Sequence, residues 1–168
     1  VTYSPVRLTS YHRFDFFDCG EPSLDTWPQK HALNDQLLGK SATHVWTDAG
    51  GELVVGYFTL LPTITRAVED RSIFAKIRPK SYQGDELPGV LIGKFALDRS
   101  LRGEGLGIDL LADAIVTASE AMSLIGGAHV VVDPMKDRPA LRRWYVDAGF
   151  GEIVGTDRLY LTLVGENR

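Results

Sequence analysis

Residues Val90-Leu91-Ile92-Gly93-Lys94-Phe95-Ala96-Leu97 lead through Asp98-Arg99-Ser100-Leu101 into Arg102-Gly103-Glu104-Gly105-Leu106-Gly107-Ile108. The first of these runs is apolar and reads as a buried strand. From residue 105 to 125 the apolar positions Leu106, Leu110, Leu111, Ala114, Ile115, Ala118, Met122 and Ile125 recur at the three-and-four spacing of one helix face. The junction between strand and helix therefore carries Gly103, Gly105 and Gly107. Glycines there let the backbone approach a ligand closely, and main-chain N–H groups at a helix start lie at the positive end of its dipole. Such a turn binds anions. A diphosphate would be held by main-chain donors, with Arg102 available for a charge-assisted hydrogen bond.

Two phosphate-binding patterns are excluded by the spacing of these glycines and the residues after them. A Walker loop needs Gly-Lys-Ser/Thr, whereas here Gly107-Ile108-Asp109 stands. The dinucleotide fingerprint needs Gly-x-Gly-x-x-Gly after the first strand, and Gly103-x-Gly105-x-Gly107 has another spacing and comes late in the chain.

Outward from this junction, Gly126-Gly127 stops the long helix. Residues 128–132 read as a short buried strand, 139–148 as a helix opened by Pro139 and closed by Gly149, and 160–164 as a last strand. Toward the N-terminus, 6–8 is a short strand. Residues 22–38 are helical in pattern, with Pro28 dividing them into two short helices or delaying the start, and Gly39 ending them. Segments 43–47 and 53–61 are strands joined by the turn Asp48-Ala49-Gly50-Gly51. Residues 62–89, broken by Pro62, Pro79, Gly84, Pro88 and Gly89, read as an insertion with one helical turn around 72–77. Strand-helix-strand units after residue 90 imply a partly parallel sheet with helices on its faces. The class is α/β (α+β), in a single domain over residues 1–168.

A formal charge of −4 argues against a surface that is a nucleic-acid footprint throughout. Lys30, His31, Lys40, Arg66, Lys76, Arg78 and Lys80 leave a local basic face open, although interspersed acids favour an ordinary solvated surface. The lone Cys19 cannot close an intrachain disulfide and reads as a small buried hydrophobe. No apolar run reaches the roughly 20 residues of a membrane helix, and the start lacks a signal-peptide pattern, which predicts a cytoplasmic protein.

Arg102-x-x-Gly105-x-Gly107 between an apolar strand and an amphipathic helix, followed by a strand and a helix carrying Trp144-Tyr145-x-x-x-Gly149-Phe150, resembles the GCN5-related N-acetyltransferase (GNAT) superfamily over residues 50–163. The front of the chain, Phe17-Asp18-Cys19-Gly20-Glu21-Pro22-Ser23-Leu24-Asp25-x-Trp27, is similar to the TacT-type GNAT toxins of toxin-antitoxin pairs. The resemblance implies a mixed sheet of about six to seven strands with helices on both faces, and acetyl-CoA as cofactor without a metal. It implies that Phe95, Ala96 and Leu97 bond the pantetheine arm. Arg102, Gly103, Glu104, Gly105, Leu106, Gly107 and Ile108 then hold the pyrophosphate, the thioester lies where two central parallel strands splay, and Tyr145 is the general acid. It further implies an N-acetyltransferase acting on the amino group of aminoacyl-tRNA to stop translation, a ribbon-helix-helix antitoxin, and a homodimer. Pro28, Glu104 and the run Pro134-Met135-Lys136-Asp137-Arg138-Pro139 depart from the toxin pattern.

The chemistry asks for an unprotonated amine, a donor for the developing oxyanion and a proton for the departing thiolate. By the family's geometry, the resemblance makes the N–H near Leu97 the expected oxyanion donor. Tyr145 suits the last role because a phenol with a pKa near 10 is protonated at neutral pH. Trp144 reads as packing. Asp98, Glu52, His44 and His129 are open candidates for a base. Two other functions remain open at this level: an acetyltransferase for a small-molecule or protein amine, and a module that binds an acyl-CoA without turnover.

Overall fold

The computed structural model describes residues 2–67, 71–152 and 156–163. Its strands are β1 (Val6–Arg7), β2 (Ala42–Thr47), β3 (Val54–Arg66), β4 (Glu86–Leu97), β5 (His129–Val132) and β6 (Leu159–Thr162). They form one sheet in sequence order. The β1–β2, β2–β3 and β5–β6 pairs are antiparallel, and β4–β5 is parallel. The α-helices are α1 (Pro22–Trp27), α2 (Leu33–Leu37), α3 (Arg71–Ile77), α4 (Leu106–Ile125) and α5 (Pro139–Asp147). The mixed α/β architecture agrees with the sequence reading, and the sheet has six strands.

The strands flanking the irregular region are longer than their sequence suggests. β3 continues through Pro62 to Arg66 and β4 begins at Glu86 before Pro88, so the expected insertion at 62–89 shrinks to the stretch between these strands. Pro62, Ile64, Glu86 and Pro88 are exposed while Thr65, Leu87 and Gly89 are buried, the alternation of a strand. A proline's fixed φ is compatible with extended chain and removes only one donor, so these prolines do not end the strands. The helical turn expected at 72–77 is α3. Residues 68–70 of that region and Val164 of the expected last strand lie outside the described residues.

The chain clusters into two compact units, one of residues 1–61 and 93–116, the other of residues 62–92 and 117–168. In the first unit the sheet is covered on both faces. Side chains alternate along β3 and β4. Tyr57 and Ala96 join Leu8, Phe14, Phe17, Cys19, Ala32, Val45 and Val54 in one core, against which Leu24, Trp27 and Leu33 pack. A Cβ on Gly56 would instead meet Leu97 at 3.2 Å and Leu110 of α4 at 3.3 Å. Trp46, nearly fully buried, donates its indole N–H to Asp113 of α4 at 2.8 Å. The α1–α2 segment thus lies on one face and α4 on the other. In the second unit Ile73, Phe74, Ile77 and Leu87 form a core with Ala67, Tyr82 and Tyr160 packed against it.

Pro28 interrupts the first helical segment as its chemistry requires. α1 ends there, a π turn follows over Pro28–Ala32, and α2 resumes at Leu33. In an uninterrupted α-helix the N–H of residue 28 would donate to the Leu24 carbonyl, and proline has none. The Tyr57 hydroxyl, from β3, donates to that carbonyl at 2.7 Å. The bond lost to proline is replaced by a side chain of the sheet.

Candidate functional site

The parallel ladder between β4 and β5 runs from Gly89–His129 to Ile92–Val132, where β5 ends, while β4 continues to Leu97. Along that continuation the backbone amides alternate in direction. The Lys94 N–H donates to Thr59 Oγ1 of β3 at 2.8 Å and the Asp98 N–H to the Val55 carbonyl of β3 at 2.9 Å. The intervening N–H groups of Phe95 and Leu97 therefore point to the opposite edge, the one on which the β5 ladder has ended. This is the orientation a pantetheine arm and an oxyanion need.

After Leu97 the chain is organised by Asp98. Its carboxylate accepts the Ser100 N–H at 2.9 Å, the Ser100 hydroxyl at 2.6 Å and the Asp18 N–H at 2.9 Å. Burial opposes its charge, but these hydrogen bonds outweigh that and hold its pKa below the ordinary value. A single 3-10 turn, Arg99–Leu101, follows. Arg99 pairs with Asp18, which that side-chain bond, together with the Gly20 N–H and against desolvation, keeps below the usual carboxylate range. Arg102 donates to the Cys19 carbonyl. The segment Asp18-Cys19-Gly20 is thereby tied to the strand-to-helix junction.

At the junction Gly103 has φ +87° and Gly105 φ +80°, a region that side-chain-bearing residues avoid, and a Cβ built on either would meet nothing within 4 Å. Residues 102–105 are exposed, and α4 starts at Leu106. The Ile108 N–H is committed to the Gly105 carbonyl at 3.0 Å. The donors at the helix mouth are then the N–H groups of the turn and of Leu106 and Gly107. A bare, backbone-lined turn with room above it suits a diphosphate. Arg102 serves first as a tie to Cys19, with remaining guanidinium donors for an anion.

The structure thus brings Phe95, Ala96, Leu97 and Arg102 to Ile108 together on one strand-turn-helix of the first unit. Ala96 differs from its neighbours: its side chain is buried in the α1–α2 core. Tyr145 belongs to the second unit. It lies on α5, is 5% exposed, and packs edge-to-face on Trp144 at 5.0 Å and Phe150 at 5.6 Å. Burial pushes its phenol above the normal range, so it is fully protonated at neutral pH.

None of the four candidate bases has the environment of one. Asp98 is saturated with donors. Glu52 pairs with exposed Arg13 at 3.3 Å. His44 stacks on Phe58 at 5.2 Å and His129 contacts Thr65 Oγ1 at 3.3 Å; burial, with Arg7 and Arg158 adding a smaller push, lowers both pKa values to about 4. His129 is packed tightly against Gly89, where a Cβ would come within 2.5 Å of the His129 carbonyl and 2.8 Å of its Nε2. Cys19 is buried and its thiol pushed up to about 11, first by burial and then by Asp25, so it is inert. Among the described residues no three of His, Cys, Asp or Glu converge as a metal would require, and no helix is long and apolar enough to cross a membrane. The Asp18–Asp98–Arg99 linkage is not legible in the sequence, where only the Asp-x-Ser spacing of residues 98 and 100 hints at it.

No protein-family model matches the chain. It is 33% identical over 161 residues, 96% of this chain and 91% of the relative, to the tRNA-acetylating toxin of Mycobacterium tuberculosis (strain ATCC 25618 / H37Rv). It is 26% identical over 129 residues, covering 77% of this chain and 69% of the relative, to a probable toxin TacT of Sinorhizobium fredii (strain NBRC 101917 / NGR234). Among solved structures it superposes on AtaT complexed with acetyl-methionyl-tRNAfMet at TM-score 0.82, with 23% identity and coverage of 96% of this chain and 95% of that one. It superposes on an AtaT variant bound to the C-terminus of the antitoxin AtaR and acetyl-CoA at TM-score 0.75, with 22% identity, covering 95% of this chain and 92% of that one. These two likenesses concern the fold. With the turn intact and a relative of this identity matched nearly end to end, the chain belongs to the TacT-type family of tRNA-acetylating toxins of GNAT fold.

Proposed function

We propose that the chain transfers the acetyl group of acetyl-CoA to the amino group of an aminoacyl-tRNA, and that it is the toxin of a toxin-antitoxin pair. The observation that carries this is the open turn at the mouth of α4, with Gly103 and Gly105 both left-handed and unobstructed. A relative of 33% identity that is a tRNA-acetylating toxin supports the acceptor. Acetyl-CoA supplies the activated thioester carbonyl. The N–H groups of residues 103–107 would hold the diphosphate, Phe95 would orient the arm by its edge-facing amide, and the Leu97 N–H would stabilise the developing oxyanion. Tyr145, kept protonated by burial, gives the proton to the departing sulfur. An α-amino group has a pKa near 8, so a fraction is already neutral at physiological pH and no strong base is needed. That fits the four candidate bases: Asp98 and Glu52 are tied up by donors, and His44 and His129, with pKa values of about 4, are weak bases.

We read the chain as one catalytic domain, since β3, β4 and α4 each pass from one compact unit into the other. A homodimer in the cytoplasm, neutralised by a ribbon-helix-helix antitoxin, completes the reading; the antitoxin-bound AtaT structure supports the last partner. Mass spectrometry of charged tRNA incubated with the protein and acetyl-CoA tests it. N-acetylated aminoacyl groups are expected. Transfer to a polyamine or protein lysine with charged tRNA untouched would replace the acceptor.

A further inference from the structure

Lys94 carries a charge that the acetyl transfer does not use. It lies on the part of β4 that outruns the β5 ladder, and its backbone is fixed to Thr59. Alternation places its side chain with that of Ala96, on the α1–α2 face, while Leu97 turns toward α4. The ammonium sits 5.6 Å from the centroid of the Trp27 ring. Trp27 is itself held, stacked on Tyr57 at 6.3 Å and 18°, and the Tyr57 hydroxyl bonds the Leu24 carbonyl in the turn before it.

Lys94 is half-buried, yet among the described residues no carboxylate pairs with it. Its stem is partly covered while the ammonium keeps three donors, which an anion can accept. The aromatic face satisfies one side only. The diphosphate of the cofactor already has its own donors in the turn at the mouth of α4. A polycationic acceptor is disfavoured too, since a fixed positive charge repels it.

We propose that Lys94, steadied over Trp27, binds a backbone phosphate of the nucleic acid that carries the acceptor amine. The proposal rests on the tRNA reading and deepens it. It makes the α1–α2 face the nucleic-acid side. It also explains how a chain of net charge −4 engages a polyanion, through a placed cation rather than overall charge.

The test is fluorescence anisotropy with labelled uncharged tRNA, titrated at several salt concentrations, on wild type, Lys94→Gln and Lys94→Arg. Lys94→Gln should weaken binding several-fold and reduce the slope of log K against log salt by about 1, as loss of one phosphate contact does. Lys94→Arg should restore both, with melting temperatures alike across the three. A wild-type slope in Lys94→Gln overturns the proposal, as does an equal loss in Lys94→Arg, which would mark a packing role. A Lys94→Gln protein that keeps its slope but loses an acidic antitoxin peptide would assign the cation to that partner instead. If wild type fails to acetylate charged tRNA while the slope still falls in Lys94→Gln, the phosphate contact stands and the acceptor assignment fails.

Discussion

Gly105 combines two properties that separate backbone strain from ligand blockage. Its φ of +80° makes any other residue strained by about 1–2 kcal/mol. Among the described residues nothing lies within 4 Å of a Cβ built there, so a side chain would project into the space proposed for the diphosphate. Gly105→Val should therefore melt lower by about 2–4 °C for each kcal/mol of that strain, while coenzyme A affinity falls at least tenfold in calorimetry. At Tyr145 the expectation runs the other way. Tyr145→Phe keeps the packing on Trp144 and Phe150 but removes the proton, so turnover should fall ten- to a hundredfold while coenzyme A affinity stays within about twofold. The glycine pattern made the turn readable in sequence, because few other residues tolerate that backbone. The Arg102 tie to Cys19 was not readable, since nothing local says which distant carbonyl a guanidinium will find.

The α1–π–α2 segment shows how one element depends on another. Tyr57→Phe leaves the half-buried Leu24 carbonyl without its donor and should cost about 0.5–1.5 kcal/mol in chemical denaturation. Pro28→Ala restores a backbone N–H four residues after Leu24. In the Tyr57→Phe background it should recover part of that loss, whereas in wild type it should add little. Equal effects in both backgrounds would show that the phenol and the missing amide are unrelated. Helix, strand and turn identities were legible where the periodicity is clean, as in β4 and α4. Around Pro62 and Pro88 they were not, because the residues that usually end strands here sit on exposed strand positions and the neighbouring pairings decide.

For the whole molecule, acid is the revealing variable. His44 and His129 have folded pKa values of about 4 against an ordinary 6.5, so the unfolded chain binds more protons between those limits. The stability this contributes is complete above about pH 6.5 and is lost as the pH falls toward 4. Melting temperature should drop across that window, and His44→Phe, which keeps an aromatic ring on Phe58, should make the drop shallower. An unchanged profile would mean that His44 titrates normally in the fold. The overall α/β order followed from strand and helix punctuation along the chain. The meeting of Lys94 with Trp27 did not, because they are 67 positions apart in sequence and are brought together only by β4 and the end of α1.

The grip of main-chain amides on a diphosphate is tested most directly by calorimetry of wild type and Gly105→Val with coenzyme A and with pantetheine, which has the same arm and no diphosphate. Wild type should bind coenzyme A at least tenfold more tightly than pantetheine, and Gly105→Val should erase most of that difference while leaving pantetheine binding nearly as it was. Equal affinities for the two ligands in wild type, or an undiminished preference for coenzyme A in the variant, would contradict it.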